Sequence, residues 1–159
     1  MTSSAVTLRP MTDAEYQKWY DHCVLEYAKD KMVALDTTHE QALKLSEDSF
    51  KEDLPNAMDT PDNYLYSVVA ANGVVVGSLW IAMLTGLGRK TAFIYDIEIA
   101  PEYRRQGFGE VTLRLLEDEA RKLGASKIGL HVFGHNPGAR ALYEKMDYRV
   151  TDISMAKAI

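Results

Sequence analysis

One cysteine, Cys23, occurs in the 159 residues, so no disulfide can close within the chain and the fold has to hold by packing. It lies in a helical pattern with no histidine placed as its partner beyond its neighbour His22, and reads as a small core residue rather than a nucleophile. Long hydrophobic runs are absent too. No stretch approaches the roughly 18–20 apolar residues that span a bilayer. The first residues lack the basic start and apolar centre of a secretory signal, so a cytoplasmic protein with no membrane partner is expected. Basic residues are in deficit, 18 against 23 acidic, for a formal net charge of −5. That argues against nucleic acid as a partner, because neutralising phosphates needs a basic patch. Repeats, low-complexity tracts and linkers are missing, which leaves one domain over residues 1–159. No His, Cys and carboxylate cluster has metal-ligand spacing, so no metal is expected.

What is present begins with a short strand at residues 6–9, closed by Pro10. Thr12 or Asp13 caps a helix whose Tyr16, Trp19, Tyr20, Cys23, Val24 and Tyr27 recur every three or four residues, a core-facing stripe. Thr37 or Thr38 starts a second helix, ended by Leu54-Pro55-Asn56. Acidic residues from Asp36 to Asp62 crowd this region. They read as a solvated helix face, or as a wall attracting a cationic substrate. Residues 64–71 and 74–84 form a hairpin around Asn72-Gly73, a type I′ turn signal, and a second turn at residues 86–90 feeds a third strand.

The centre of the chain is residues 94–111. Ile94, Tyr95, Ile97 and Ile99 suit a strand that Pro101 must stop. A helical stripe then runs from Val111 to Leu123. Between them Arg104-Arg105-Gln106-Gly107-Phe108-Gly109-Glu110 places backbone amides and two guanidiniums at a helix start, a setting for an anion such as a diphosphate. It is neither a P-loop nor a three-glycine dinucleotide fingerprint. Residues 126–133 read as a buried strand, which a helical crossover makes parallel to the strand before it. Asn136 caps a further helix, with Pro137 at its first position, and Tyr143 returns two turns later to the face shared by Asn136 and Ala139. Asp147 tolerates the left-handed conformation that ends such a helix. Residues 148–159 read as one last strand.

The Arg-x-x-Gly-x-Gly loop after a strand, followed by Asn136, Ala139, Leu142 and Tyr143, resembles the GNAT superfamily of acyl-CoA-dependent N-acyltransferases. The likeness covers most of the chain. It departs at Asp147, where the family has glycine. The resemblance implies an α/β (α+β) fold: a mixed, mostly antiparallel sheet with a central splayed parallel strand pair, flanked by helices. It implies acetyl-CoA as cofactor, its pyrophosphate on the amides of residues 104–110. Its pantetheine arm would lie along Ile97, Ile99 and Ala100, with Asn136, Ala139, Arg140 and Tyr143 completing the site. Tyr143 matches the family's general acid toward the coenzyme sulfur.

For the base, Asp96 and Glu98 share one strand face, where two carboxylates are costly unless they meet a wet cleft. Glu98, nearer the coenzyme end, is the first candidate, His131 on the neighbouring strand the second, and water the third. The amide near Ile99 is the expected oxyanion donor. The expected reaction transfers an acetyl group to a small, polyamine-like amine by direct attack in a ternary complex. Protein amines are the alternative substrate class, and a non-catalytic acyl-CoA sensor is the alternative from another functional class. An exposed final strand edge would permit a homodimer.

Overall fold

The computed structural model describes residues 5–159; residues 1–4, part of the stretch scanned for a secretory signal, lie outside the described residues. Strand β1 (Val6–Pro10) leads into α1 (Asp13–Leu35) and α2 (His39–Asp53). Then come β2 (Asn63–Ala70), β3 (Val75–Gly86), β4 (Arg89–Ile99), α3 (Phe108–Lys122), β5 (Lys127–Leu130) and α4 (Pro137–Lys145). Both early helices start where a hydroxyl can take the free amides. Thr12 forms a reciprocal capping box with Glu15, and Thr38 forms one with Gln41.

The strands form one sheet in the order β1-β2-β3-β4-β5, antiparallel until β5, which runs parallel to β4. Two apolar layers hold it. On one face Trp19, Cys23, Val24 and Phe50 of the first two helices pack on Leu65 and Trp80. On the other, Leu113 and Leu116 of α3 pack on Leu79, Ile81 and Ile94. Full burial of each such side chain stabilises the fold by about 1.5–3 kcal/mol.

The hairpin at Asn72-Gly73 departs from the expected turn. Gly73 N donates to Ala70 O, so Ala71 and Asn72 are the central pair, and only Gly73 (φ +83°) is left-handed. That is a three-residue loop rather than a type I′ pair. The two-residue turn forms one hairpin later, at Leu87 (φ +50°) and Gly88 (φ +73°). Strand β5 is also shorter than expected, ending at Leu130 and only partly buried, because the chain leaves the ladder before His131. Residues 148–159 form no strand; residues 149–159 are exposed, while Tyr148 is half-buried. They run past the outer edge of β5 without pairing, and residues 147–156 enclose with it a groove of about 1330 Å³. Helix α4 ends as Asp147 allows: at φ +66° its N–H donates to Glu144 O while Tyr148 N–H donates to Tyr143 O.

Candidate active site

The parallel pairing of β4 with β5 stops at Ile94↔Leu130, while β4 continues to Ile99. Residues 96–99 therefore have a ladder partner only on the β3 side. A bulge sets their direction: Trp80 pairs with Asp96 but Ile81 with Ile94, so Tyr95 is the extra residue and its ring stacks on Trp80 at 4.5 Å. Beyond the bulge Asp96 and Glu98 meet α1. Trp19 Nε1 donates to Asp96 Oδ2 at 2.9 Å, and His22 Nε2 lies 2.8 Å from Glu98 Oε2. A small cavity of about 190 Å³ opens beside them, lined by His22, Gly77, Ser78, Glu98, Ala100 and Pro101. Gly77 is required there, because a Cβ would stand 2.3 Å from Glu98 O.

One end of this open segment meets the start of α3. Gly107 is its N-cap, left-handed at φ +84°, with no side chain bonding the first amides, and Arg105 is left-handed at φ +62°. Phe108 is buried in the core, so it offers the loop its amide rather than its ring. Gly109 lies against α4, where a Cβ would fall 3.4 Å from Leu142. Arg104 folds back: its Nε donates to Ile99 O at 2.7 Å, and a terminal nitrogen lies 3.3 Å from Glu98 Oε1. Glu110 pairs with Lys145, tying the first turn of α3 to the last turn of α4. These free amides fit an anionic diphosphate.

The other wall is α4. Asn136 caps it through Ala139 N, and Arg140 pairs along the helix with Glu144 at 2.8 Å. Tyr143 packs with Ile97, Leu130 and Leu142 against the α3-side core. Burial, reinforced by the charge of Asp96, pushes its phenol up to about 12, so it keeps its proton at neutral pH. Burial and the same carboxylate push the Cys23 thiol upward, which removes it as a nucleophile.

The expected residues converge unevenly. Tyr143, Glu98, Ile97, Ile99, Ala100 and the 104–110 loop surround the open end of β4. His131 is exposed, one residue past the last β4–β5 pair, its ring edge-on to Phe133 at 4.9 Å, with no bond to Glu98 or Tyr143. One residue outside the sequence-based expectation joins the site from α1: His22, on Glu98. The only sequence signal for His22 is its helical spacing of three from Trp19.

Residues 14–148 match the Acetyltransferase (GNAT) family. The uncharacterized N-acetyltransferase YdgE of Bacillus subtilis is 33% identical over 98% of this chain and 99% of its own length. A second protein of that organism, YycN, is 34% identical over 97% of this chain and 99% of its own. The crystal structure of the acetyltransferase YycN superposes with a TM-score of 0.93 over 98% of this chain and 99% of that one. With the family match spanning most of its length and two relatives covering nearly all of it, the chain belongs to the GNAT family of acetyltransferases.

Proposed function

We propose that this protein transfers an acetyl group from acetyl-CoA to the primary amine of a small molecule. The observation that carries the reading is the position of the stretch of β4 beyond Ile94, open on its β5 side. It runs between the uncapped start of α3 and the protonated phenol of Tyr143. The amides of residues 107–110, with Arg104, Arg105 and Gln106, would hold the diphosphate. The free side of β4 at Ile97, Ile99 and Ala100 would hold the pantetheine amides. Asn136, Ala139 and Arg140 start the helix that closes the far side. The coenzyme supplies an activated thioester when bound.

Within that arrangement Tyr143 gives its proton to the departing sulfur, and burial favours this by holding the phenol neutral until it acts. The amide of Ile99 polarises the carbonyl. Surface acids on α2, among them Glu47 and Glu52, favour a cationic, polyamine-like acceptor through their field. Among the described residues no helix is long and apolar enough to cross a membrane, and a cytoplasmic site of action accompanies this reading. A second copy of the chain, pairing along the outer edge of β5, belongs to the same reading.

Free-thiol release from acetyl-CoA, measured across polyamines, amino acids, aminoglycosides and peptides, tests the proposal. Turnover with at least one small amine is expected. Binding of coenzyme A without thiol release on any amine would replace the enzyme by a sensor.

A further inference from the structure

Beyond Leu130 the β5 wall has no ladder among the described residues. Leu142, Tyr143 and Met146 pack on the α3-side core, but no residue of α4 is buried outright. Neither sheet pairing nor deep packing therefore fixes where α4 holds Tyr143. The turn that starts α4 is attached to α1 instead. Asn136 N donates to Phe133 O at 3.0 Å, closing a turn around Gly134 and His135. The Phe133 and His135 rings stack with centroids 5.2 Å apart, and both meet α1. The Tyr27 ring lies 6.1 Å from that of Phe133, and His135 Nε2 lies 2.8 Å from Asp30 Oδ1. A carboxylate only accepts, so Nε2 donates. Tyr27 and Asp30 are three residues apart, which makes them neighbours on the helix surface.

The same helix also touches the opposite wall. Trp19 donates to Asp96 and His22 meets Glu98, both on the part of β4 that β5 has left. From Trp19 to Asp30 the helix rises roughly 16 Å. Helix α1 thus crosses the splay as a strut, fastened to β4 earlier along its length and to the turn before α4 later. At its other end α4 is tied to α3 by Lys145 and Glu110.

We propose that Asp30 and His135 are a positioning pair for the reaction: their clasp fixes the turn before Asn136, hence the direction of α4 and the place of the Tyr143 phenol. The assignment rests on the acetyl-transfer reading above, in which that phenol protonates the departing sulfur. The pair acts through Tyr143 rather than by touching either substrate. Tyr143 lies two helical turns beyond the clasp, so a tilt of the turn is carried to the phenol. Proton delivery tolerates little drift, because a displacement of about 1 Å costs up to about 10²-fold in rate. The amides offered to the diphosphate belong to α3 and stay where they are.

Free-thiol release with the best amine of the panel above, measured as a double-mutant cycle, tests the assignment. Asp30→Asn and His135→Ala should each lower kcat roughly 10–10²-fold, with the amine's KM and the calorimetric affinity for coenzyme A unchanged. His135→Gln, whose amide still donates to Asp30, should recover most of that loss. In a Tyr143→Phe background the first two changes should cost nothing more, because the phenol through which they act is gone. Both side chains reach solvent, 44% exposed for Asp30 and 33% for His135, so the variants should melt close to the wild type. Independently of turnover, hydrogen exchange of the α4 amides should quicken in both variants while that of α3 does not change. Wild-type kcat in both, losses that add to that of Tyr143→Phe, or unaltered exchange in α4 overturns the assignment. Turnover unaffected by Tyr143→Phe, or absent from the wild type, would instead remove the acetyl-transfer reading and the clasp's role with it.

Discussion

Tyr143 shows how one side chain can be legible in sequence while its neighbour is not. Its position follows from Asn136, which caps α4 through Ala139 N, and from the two helical turns that carry the phenol back to the same face. Burial then holds the phenol at about 12. Tyr143→Phe should lower turnover by roughly 10²–10⁴ while leaving acyl-CoA affinity nearly unchanged, because the ring's packing survives and only the proton is lost. Steady-state rates beside calorimetric affinities would show this, and unchanged turnover would remove the acid role. Asp96 was legible only as a carboxylate out of place in a strand. What distinguishes it from Glu98 is a set of donors on α1, the Trp19 indole 77 residues away and the Cys23 thiol 73 residues away. No local pattern encodes such contacts. The same holds for His131, which the apolar run 126–133 placed in a strand. That run does not reveal that the ladder opens after Leu130.

At the scale of elements, two junctions carry distinct predictions. The start of α3 depends on Gly107 at φ +84°, where a side chain costs about 1–2 kcal/mol and crowds the amides offered to the diphosphate. Gly107→Val should therefore weaken coenzyme A binding by calorimetry and lower the melting temperature of the free protein as well. Equal coenzyme affinity would contradict the diphosphate assignment. The second junction ties β1, α1 and β2 together through Glu15, which receives Arg9 at 2.8 Å and the Ser67 hydroxyl at 2.6 Å and closes the Thr12 capping box. The Arg9 guanidinium, helped by Ser67 and the Thr12 amide, holds the Glu15 carboxyl at about 2 against an ordinary value of 4.5. Because the folded value is the lower one, this stabilisation is complete above about pH 4.5 and fades as the pH falls toward 2. Glu15 is half-buried and Arg9 more exposed, so solvent screens the pair, and about 1 kcal/mol at neutral pH is expected. Urea unfolding of Glu15→Gln against the wild type should show that gap at pH 7 and its closure near pH 2; a gap independent of pH would assign the loss to the cap alone. The capping boxes themselves were readable, since Thr12 and Thr38 each precede by three a residue able to reach back.

Across the whole molecule, the mixed sheet follows from signals spread along the chain: turn residues between β2, β3 and β4, then a helical crossover that forces β5 parallel. The final segment does not follow from its sequence. Residues 148–159 carry a strand-like alternation, yet Val150, Ile153 and Met155 lie 53%, 74% and 92% exposed beside a four-residue edge strand. An isolated strand gains little from its own alternation. It needs a ladder partner of matching length, and β5 stops at Leu130 on leaving the sheet. Within one copy, then, both an unpaired sheet edge and an unpaired apolar segment remain, and two copies can satisfy both reciprocally through a twofold axis. Light scattering should show a mass that rises from monomer to dimer with concentration. Ile153→Lys, which places a charge in the exposed segment without touching Asp96, Tyr143 or the 104–110 loop, should hold the protein monomeric while coenzyme A affinity stays the same. A wild-type chain that remains monomeric at every working concentration would leave the edge and the segment without a shared partner and end the dimer reading.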